Sequence, residues 1–293
     1  MKKSEVRPPV VALIKGGLGN QLFCYAAGRA LAHRLGRPLL LDVMTGFRRD
    51  GYGRRLRLDR FPVAAEFAPV GVCLGGDTRA LRHKLARGLA RWQRPESRSY
   101  WAETAVAPEA FVSLQPPAKR IYLNGYWQDE AYFREVAGLL RQELAPPVPT
   151  AGEALAALGR ISAAAAPVFV HVRRERYQPR LAEDYYAAAI RECLARVPDA
   201  AFFVFGDDAE WARRNLEFQG APFEFLDDQV PDEIDTLHLM AACRHAITAN
   251  SSFSWWGAWL GERPGGHVWT PETPGFPVMA PGRWHRVANR LER

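Results

Sequence analysis

Between Val168 and Thr270 the chain changes character at regular intervals. The apolar run VFVHV precedes the helical stretch EDYYAAAIRECLARV, AFFVFG precedes AEWARRNLEF, FEFL precedes DEIDTLHLMAAC, HAITA precedes SFSWWGAWLG, and HVWT closes the series. Strands separated by single helices join one sheet as parallel neighbours, because each helix carries the chain back across a face of the sheet. The pattern therefore predicts a Rossmann-like unit, and such sheets bind ligands at the carboxyl ends of their strands. The chain opens with the same rhythm. VVALIK is followed by the glycine-rich KGGLGNQ, then by a helix with Leu22, Tyr25, Ala26, Leu31 and Leu35 at helical spacing and Gly36 as its C-cap, then by the strand RPLLLDV. Residues 145–150, APPVPT, interrupt the chain with three prolines and read as a linker. Two α/β domains are expected, residues 1–150 and 151–293.

A chain of 293 residues, 48% of them hydrophobic, has ample material for two cores. No apolar run reaches the roughly 18 residues of a membrane span, and MKKSEVRPPV lacks the apolar segment of a secretory signal. A cytoplasmic protein is expected. Cys24, Cys73, Cys193 and Cys243 are widely spaced, form no metal-ligand pattern, and read as free, buried thiols. The net charge of +7 comes almost wholly from arginine and suits nucleic acid, anionic lipid or a phosphorylated ligand. Part of it lies in residues 78–92, TRALRHKLARGLARW, where Leu81, Leu85, Leu89 and Trp92 share one helical face and basic residues fill much of the rest. This stretch reads as an ordinary surface helix or as one that meets the inner face of a membrane.

The chemistry-bearing residues cluster where strands end. In VHVRR, alternation places His171 and Arg173 on one face of a strand, with Arg174 beside them. An arginine fork grips phosphate oxygens and stays charged. In TANSSFSWW, Asn250, Ser251 and Ser252 stand where a strand gives way to a helix, a position that caps the helix and can hold an anion. In FGDD, Asp207 and Asp208 either cap the next helix or accept hydrogen bonds from a sugar or a base. The loop KGGLGNQ offers Gly19, Asn20 and Gln21 but matches neither GxGxxG nor a Walker A motif. HExxH and GxSxG are absent, and nothing suggests a metal–nucleotide carboxylate pair, so a metal-independent reaction is expected.

Taken together, GGLGNQLFCYAAGRALA, LNGYWQDEAYF, VHVRR, YYAAAI, FFVFGDD and ANSSFSWWGAWL resemble the α-1,2-fucosyltransferases of glycosyltransferase family 11, in order and spacing, from about residue 13 to residue 270. The resemblance implies a GT-B-like fold of two Rossmann-like domains facing a central cleft, the first on the acceptor side and the second binding the nucleotide sugar. It implies inverting, metal-independent transfer of L-fucose from GDP-fucose to a galactoside hydroxyl, on an oligosaccharide or lipid-linked acceptor. Carried over by position, it matches His171 and Arg173 to the His and first Arg of the family's HxRR motif, with Arg173 at the pyrophosphate and Arg174 in support. Asn250, Ser251 and Ser252 would hold phosphate oxygens, Asp207 the guanine or ribose, and Asn20 and Gln21 the donor sugar. The general base stays open among Glu175, Glu183, Asp184 and Glu130. The family pattern continues HxRR with Gly-Asp-Tyr, whereas Glu175, Arg176 and Tyr177 follow here, so another GDP-deoxysugar donor is a second reading. A different class, the NAD-dependent oxidoreductase, would use Asp42 as the acidic residue after the first strand but lacks the glycine fingerprint. A nucleic-acid-binding module would explain the charge and leave ANSSFSWWGAWL without a role.

Overall fold

The computed structural model describes residues 7–48, 50–74, 88, 98–113, 119–175, 179–226, 229–272 and 279–292. Apart from Gly88, the basic stretch 78–92 lies outside the described residues, as do Arg176 and Tyr177. The chain divides into two compact units, Met1–Leu144 and Ala145–Arg293, so the proline-rich segment 145–150 belongs to the second.

The first unit is built on β1 (Val10–Leu13), α1 (Leu18–Leu35), β2 (Leu39–Asp42), β3 (Glu66–Phe67), β4 (Tyr100–Ala102), α2 (Pro108–Ser113), β5 (Ile121–Asn124) and α3 (Ala137–Glu143). Its sheet has the order β3-β2-β1-β5-β4, and every pairing is parallel. β1 lies at the centre and is fully buried, as its unbroken apolar sequence requires. The glycine loop is shorter than the sequence suggests. Gly16 takes the left-handed turn (φ +80°), Gly17 is the N-cap, and the helix begins at Leu18. Gly19, Asn20 and Gln21 therefore form its first turn. Gly36 is left-handed (φ +59°) and ends α1, as expected. The stretch DEAYFREVAGLLRQEL is not one helix. Residues 130–132 and 134–136 form two 3-10 turns ahead of α3. Tyr132 meets Phe111 (5.1 Å between ring centroids) and Phe133 meets Phe23 (6.0 Å).

The second unit runs α4 (Gly152–Ala163), β6 (Ala166–Val172), β7 (Arg180–Leu181), α5 (Glu183–Arg196), β8 (Ala200–Gly206), α6 (Ala209–Asn215), β9 (Phe223–Phe225), α7 (Glu233–Ala242), β10 (His245–Ile247), α8 (Ser252–Gly261), β11 (Val268–Pro271), β12 (His285–Val287) and β13 (Leu291–Glu292). Its parallel sheet has the order β12-β11-β10-β6-β8-β9. Leaving aside β7 and β13, which pair with each other, this is the strand order 3-2-1-4-5-6 of a dinucleotide-binding sheet read from its far edge. β12 extends the sheet one strand beyond the series read from the sequence. The tryptophans of α8 pack rather than stack on a ligand: Trp255, Trp256 and Trp259 are buried and meet one another at 5.1–6.0 Å.

All four cysteines are free and buried. Burial pushes the Cys24 and Cys193 thiols up to about 12, which makes them packing groups rather than nucleophiles. Among the described residues no helix is long and apolar enough to cross a membrane.

Candidate functional site

In a doubly wound sheet, ligands bind where the strand order reverses, because neighbouring crossovers there leave in opposite directions and open a crevice. In the second unit that point lies between β6 and β10. β6 ends at Val172 and delivers Arg173 and Arg174. β10, whose last pairing is Ile247 with Val170, delivers Thr248 to Ser251 alongside them. The residues singled out in VHVRR and TANSS thus meet at one crevice although about 80 positions separate them in the chain.

The two arginines do different work. Arg173 is 39% exposed, and its guanidinium is held 2.8 Å from the Asp207 carboxylate. Arg174 is only 6% exposed. It lies 4.0 Å above the Trp211 ring, donates to the Leu181 carbonyl (3.0 Å), and has its Nε 3.5 Å from Asp208. Its backbone N–H donates to the other Asp207 oxygen (2.7 Å). Asp207 was expected to read guanine or ribose. In this structure one oxygen holds the strand end and the other, buried and without a hydrogen bond, faces Arg173 as an ion pair. Asp208 accepts from Trp211 N–H (3.0 Å) and caps α6, the simpler of the two roles open to it.

His171 is 5% exposed, its carbonyl accepts from the Tyr186 hydroxyl (3.2 Å), and its ring lies 5.8 Å from Phe253. Burial, with Arg173 nearby, lowers its pKa to about 3, so the ring is neutral at pH 7. Asn250 is 1% exposed and donates through Nδ2 to the Pro179 carbonyl (2.9 Å). His171 Nδ1 and Asn250 Oδ1 are both buried without a hydrogen-bond partner. Such orphans are costly and uncommon, and both fall at one sheet end, where Asp207 Oδ2 and Arg174 Nε are likewise buried without a hydrogen bond. Ser251 caps α8 by accepting from Phe253 N–H (3.2 Å), and Ser252 is its first residue. The positive end of α8 therefore faces the crevice. The Tyr185 hydroxyl steadies the β10 side through the Thr248 carbonyl (2.5 Å).

Glu175 and Glu183 are exposed, Glu175 just past Arg174 and Glu183 at the start of α5. Asp184 pairs with Arg290 (3.6 Å). Glu130 belongs to the first unit, where it is buried and paired with Arg134 (3.6 Å).

The first-unit candidates are placed differently. Gln21 is fully buried, and its side chain is spent inside the protein: Nε2 donates to the carbonyls of Gly16 (2.9 Å) and Arg55 (2.8 Å), and Oε1 accepts from Arg57 N–H (2.9 Å). In this structure the amide clamps the segment 55–57. Asn20 is half-buried and accepts through Oδ1 from Gln128 Nε2 (2.6 Å). Gly19 is buried in the first turn of α1. Among the described residues no three His, Cys, Asp or Glu side chains are grouped to hold a metal ion. Sequence reasoning gave no site role to Trp211, Tyr185 or Tyr186; the two tyrosines stand in the quoted YYAAAI motif, but what they hold is visible only in the folded contacts.

The family model described as Glycosyl transferase family 11 matches residues 108–280. An alpha-1,2-colitosyltransferase of Escherichia coli is 31% identical over 86% of this chain and 87% of its own length. The Escherichia coli O-antigen biosynthesis glycosyltransferase WbnK is 27% identical over 84% of this chain and 88% of its own. Among solved structures, a FUT1 variant of Arabidopsis thaliana in complex with GDP has the same fold, with a TM-score of 0.54, 14% identity, and coverage of 92% of this chain and 71% of that one.

Proposed function

Because the chain belongs to glycosyl transferase family 11, we propose that it moves L-fucose from GDP-fucose to a galactoside hydroxyl, in α-1,2 linkage and with inversion, in the building of a surface glycan. The dehydrogenase alternative ends with that membership, since glycosyl rather than hydride transfer is the family's chemistry. The observation that carries the finer reading is Arg173, a partly exposed guanidinium at the switch point, held by Asp207 beside the orphaned His171 Nδ1 and the positive end of α8.

In the reaction the bond between the anomeric carbon and the β-phosphate oxygen breaks, and the acceptor oxygen bonds to the opposite face of that carbon. Positive charge grows on the sugar and negative charge on the departing nucleotide. A guanidinium fixed at the leaving phosphates stabilises that separation more than it stabilises the bound donor. We assign this role to Arg173. Asp207 keeps it oriented before substrate arrives, and neutral His171 supplies a hydrogen bond without adding charge. Ser252 and the first free N–H groups of α8 take further phosphate oxygens. The proton of the acceptor hydroxyl goes to a carboxylate, and Glu175 and Glu183, both exposed beside this strand end, are the candidates.

A second reading, transfer from another GDP-deoxysugar, is favoured by one observation: a relative 31% identical over most of the chain is named for colitosyl transfer. Glu175, where the family pattern has glycine, points the same way. Thermal-shift measurements with GDP, UDP, ADP and several GDP-sugars test both readings. GDP, present in the plant structure of the same fold, is the first probe, and it should stabilise the protein while UDP does not. Stabilisation by UDP alone overturns the nucleotide assignment. GDP-fucose turnover by the wild-type chain supports the first reading, and turnover of a different GDP-deoxysugar in its place supports the second.

A further inference from the structure

The first unit has a switch point too, between β1 and β5, with polar groups of its own. Lys15 Nζ donates to Asn124 Oδ1 (2.9 Å) and lies 4.7 Å from the Tyr126 ring centroid. Gln128 Nε2 donates to Asn20 Oδ1 (2.6 Å). Lys15, Asn20, Asn124 and Tyr126 are all half-buried. The result is a partly open aromatic face bordered by amides and an ammonium group, a surface suited to a saccharide with its apolar ring face and its rim of hydroxyls.

A carboxylate from just beyond β4 gives this face its shape. Glu103 accepts from Tyr126 N–H through Oε2 (2.7 Å) and from Gln128 N–H through Oε1 (3.3 Å). Two backbone N–H groups, two positions apart, converge on one side chain. Between them Trp127 has φ +56°, a left-handed backbone that a bulky residue seldom adopts. Such a conformation persists where its surroundings over-determine it. Here Trp127 is 1% exposed and packed against Phe111 (5.2 Å) and Tyr132 (5.1 Å). Gly125 lets the carboxylate come close: a Cβ there would stand 2.4 Å from Glu103 Cβ and 2.8 Å from Oε2. Cys24 Sγ donates to the Gly125 carbonyl (3.2 Å) and holds the other side of the turn.

We propose that Glu103 is a positioning residue that sets the loop 125–128 so that Tyr126 and the Asn20–Gln128 pair receive the carbohydrate acceptor. This rests on the reading of the chain as a sugar transferase that uses a galactoside. Glu103 touches no substrate and acts through the loop it holds.

The test compares the wild type with Glu103→Ala and Glu103→Gln, using GDP-fucose as donor and methyl β-galactoside as probe acceptor. In Glu103→Ala, kcat/KM for the galactoside should fall at least about tenfold, chiefly through KM, while the Kd for GDP measured by calorimetry stays within about twofold of wild type. Glu103→Gln keeps an acceptor for Tyr126 N–H and should recover most of the loss. An unchanged galactoside KM in Glu103→Ala, or a GDP Kd that weakens in step with it, overturns the proposal. If the wild type turns over no galactoside with GDP-fucose, the donor and acceptor reading fails by itself. The loop is then read by NMR. The side-chain amide signals of Asn20 and Gln128 must shift in Glu103→Ala while those of the second unit stay in place, and unshifted signals overturn the role of Glu103.

Discussion

Arg173 and Arg174 are adjacent in the chain, and their removal should produce opposite phenotypes. Arg173 is 39% exposed, and the arginine end of its described ion pair with Asp207 is open to water while the carboxylate oxygen is buried. An exposed pair contributes about 0–1 kcal/mol and an unmatched buried oxygen costs about 1–3 kcal/mol, so Arg173→Ala should lose no more than about 2 kcal/mol, less than Arg174→Ala. Its activity should fall about 10²–10³-fold, the effect of removing one group that stabilises transition-state charge. Arg174 is 6% exposed, and its removal strips three contacts at once. Losing the stack on Trp211 costs about 0.5–2 kcal/mol, and leaving the Leu181 carbonyl without its donor costs about 1–3 kcal/mol. With the weaker Asp208 contact, Arg174→Ala should lose about 3–4 kcal/mol, in the range for breaking a buried charged pair. At about 2–4 °C per kcal/mol for a unit of this size, its Tm should drop by roughly 10 °C. Guanidinium titration followed by circular dichroism gives the stabilities, and release of GDP from the donor gives the rates. The reasoning is refuted if soluble, folded Arg173→Ala turns over like wild type, or if Arg174→Ala unfolds with wild-type stability.

Three other perturbations follow from the geometry. Asp42 is fully buried; burial alone would raise its carboxyl pKa, but hydrogen bonds from Thr45, Tyr122 and Leu74 hold it below the usual range. Its stabilisation is therefore present above the unfolded value of about 3.9 and is lost as pH falls through the lower folded value. Asp42→Ala, which leaves these donors unmatched, should cost about 3 kcal/mol in urea unfolding, and a cost below 1 kcal/mol would count against the account. His245 is lowered by burial, His267 and Arg244 to about 4, and His171 by burial and Arg173 to about 3. Both rings bind protons more readily once unfolded, so stability should fall as pH drops from about 6.5 to the folded values, by at most roughly 3 kcal/mol for His245 at 1.36 kcal/mol per pH unit. His245→Asn should flatten that acid slope, and an unaltered slope refutes the assignment. Gln21→Ala should free the segment 55–57, which hydrogen exchange at Arg57 N–H would report as lost protection.

The second unit was largely legible because its strands are buried on both faces and read as unbroken apolar runs, each stopped by polar residues at its carboxyl end. The same logic located His171, Arg173 and Asn250. It failed where the deciding partner is distant in the chain. Gln21 looks like a ligand group in GGLGNQ, yet its amide is matched by backbone 34 and 36 positions away. Asp207 carries no sign of which charge it will face. β12 consists of His285, Arg286 and Val287 and has no apolar run to betray it. The helical spacing of residues 130–143 was real, but its first half forms 3-10 turns whose aromatic residues meet α1 and α2. Glu103 stands in an unremarkable ETA triplet, and only the fold brings it under the GYWQ loop.

The crossing from β6 to α5 is fastened on both sides. Arg174 reaches forward to Leu181, Arg180 Nε reaches back to the Arg174 carbonyl (3.0 Å), and Asn250 grips Pro179. The residues that depart from the family pattern, beginning at Glu175, fall between these anchors. The end of β6 is thus tied down from both neighbouring strand ends, so a change at Arg180 or Asn250 would loosen the Arg174 carbonyl or Pro179 even where the strand itself is unaltered.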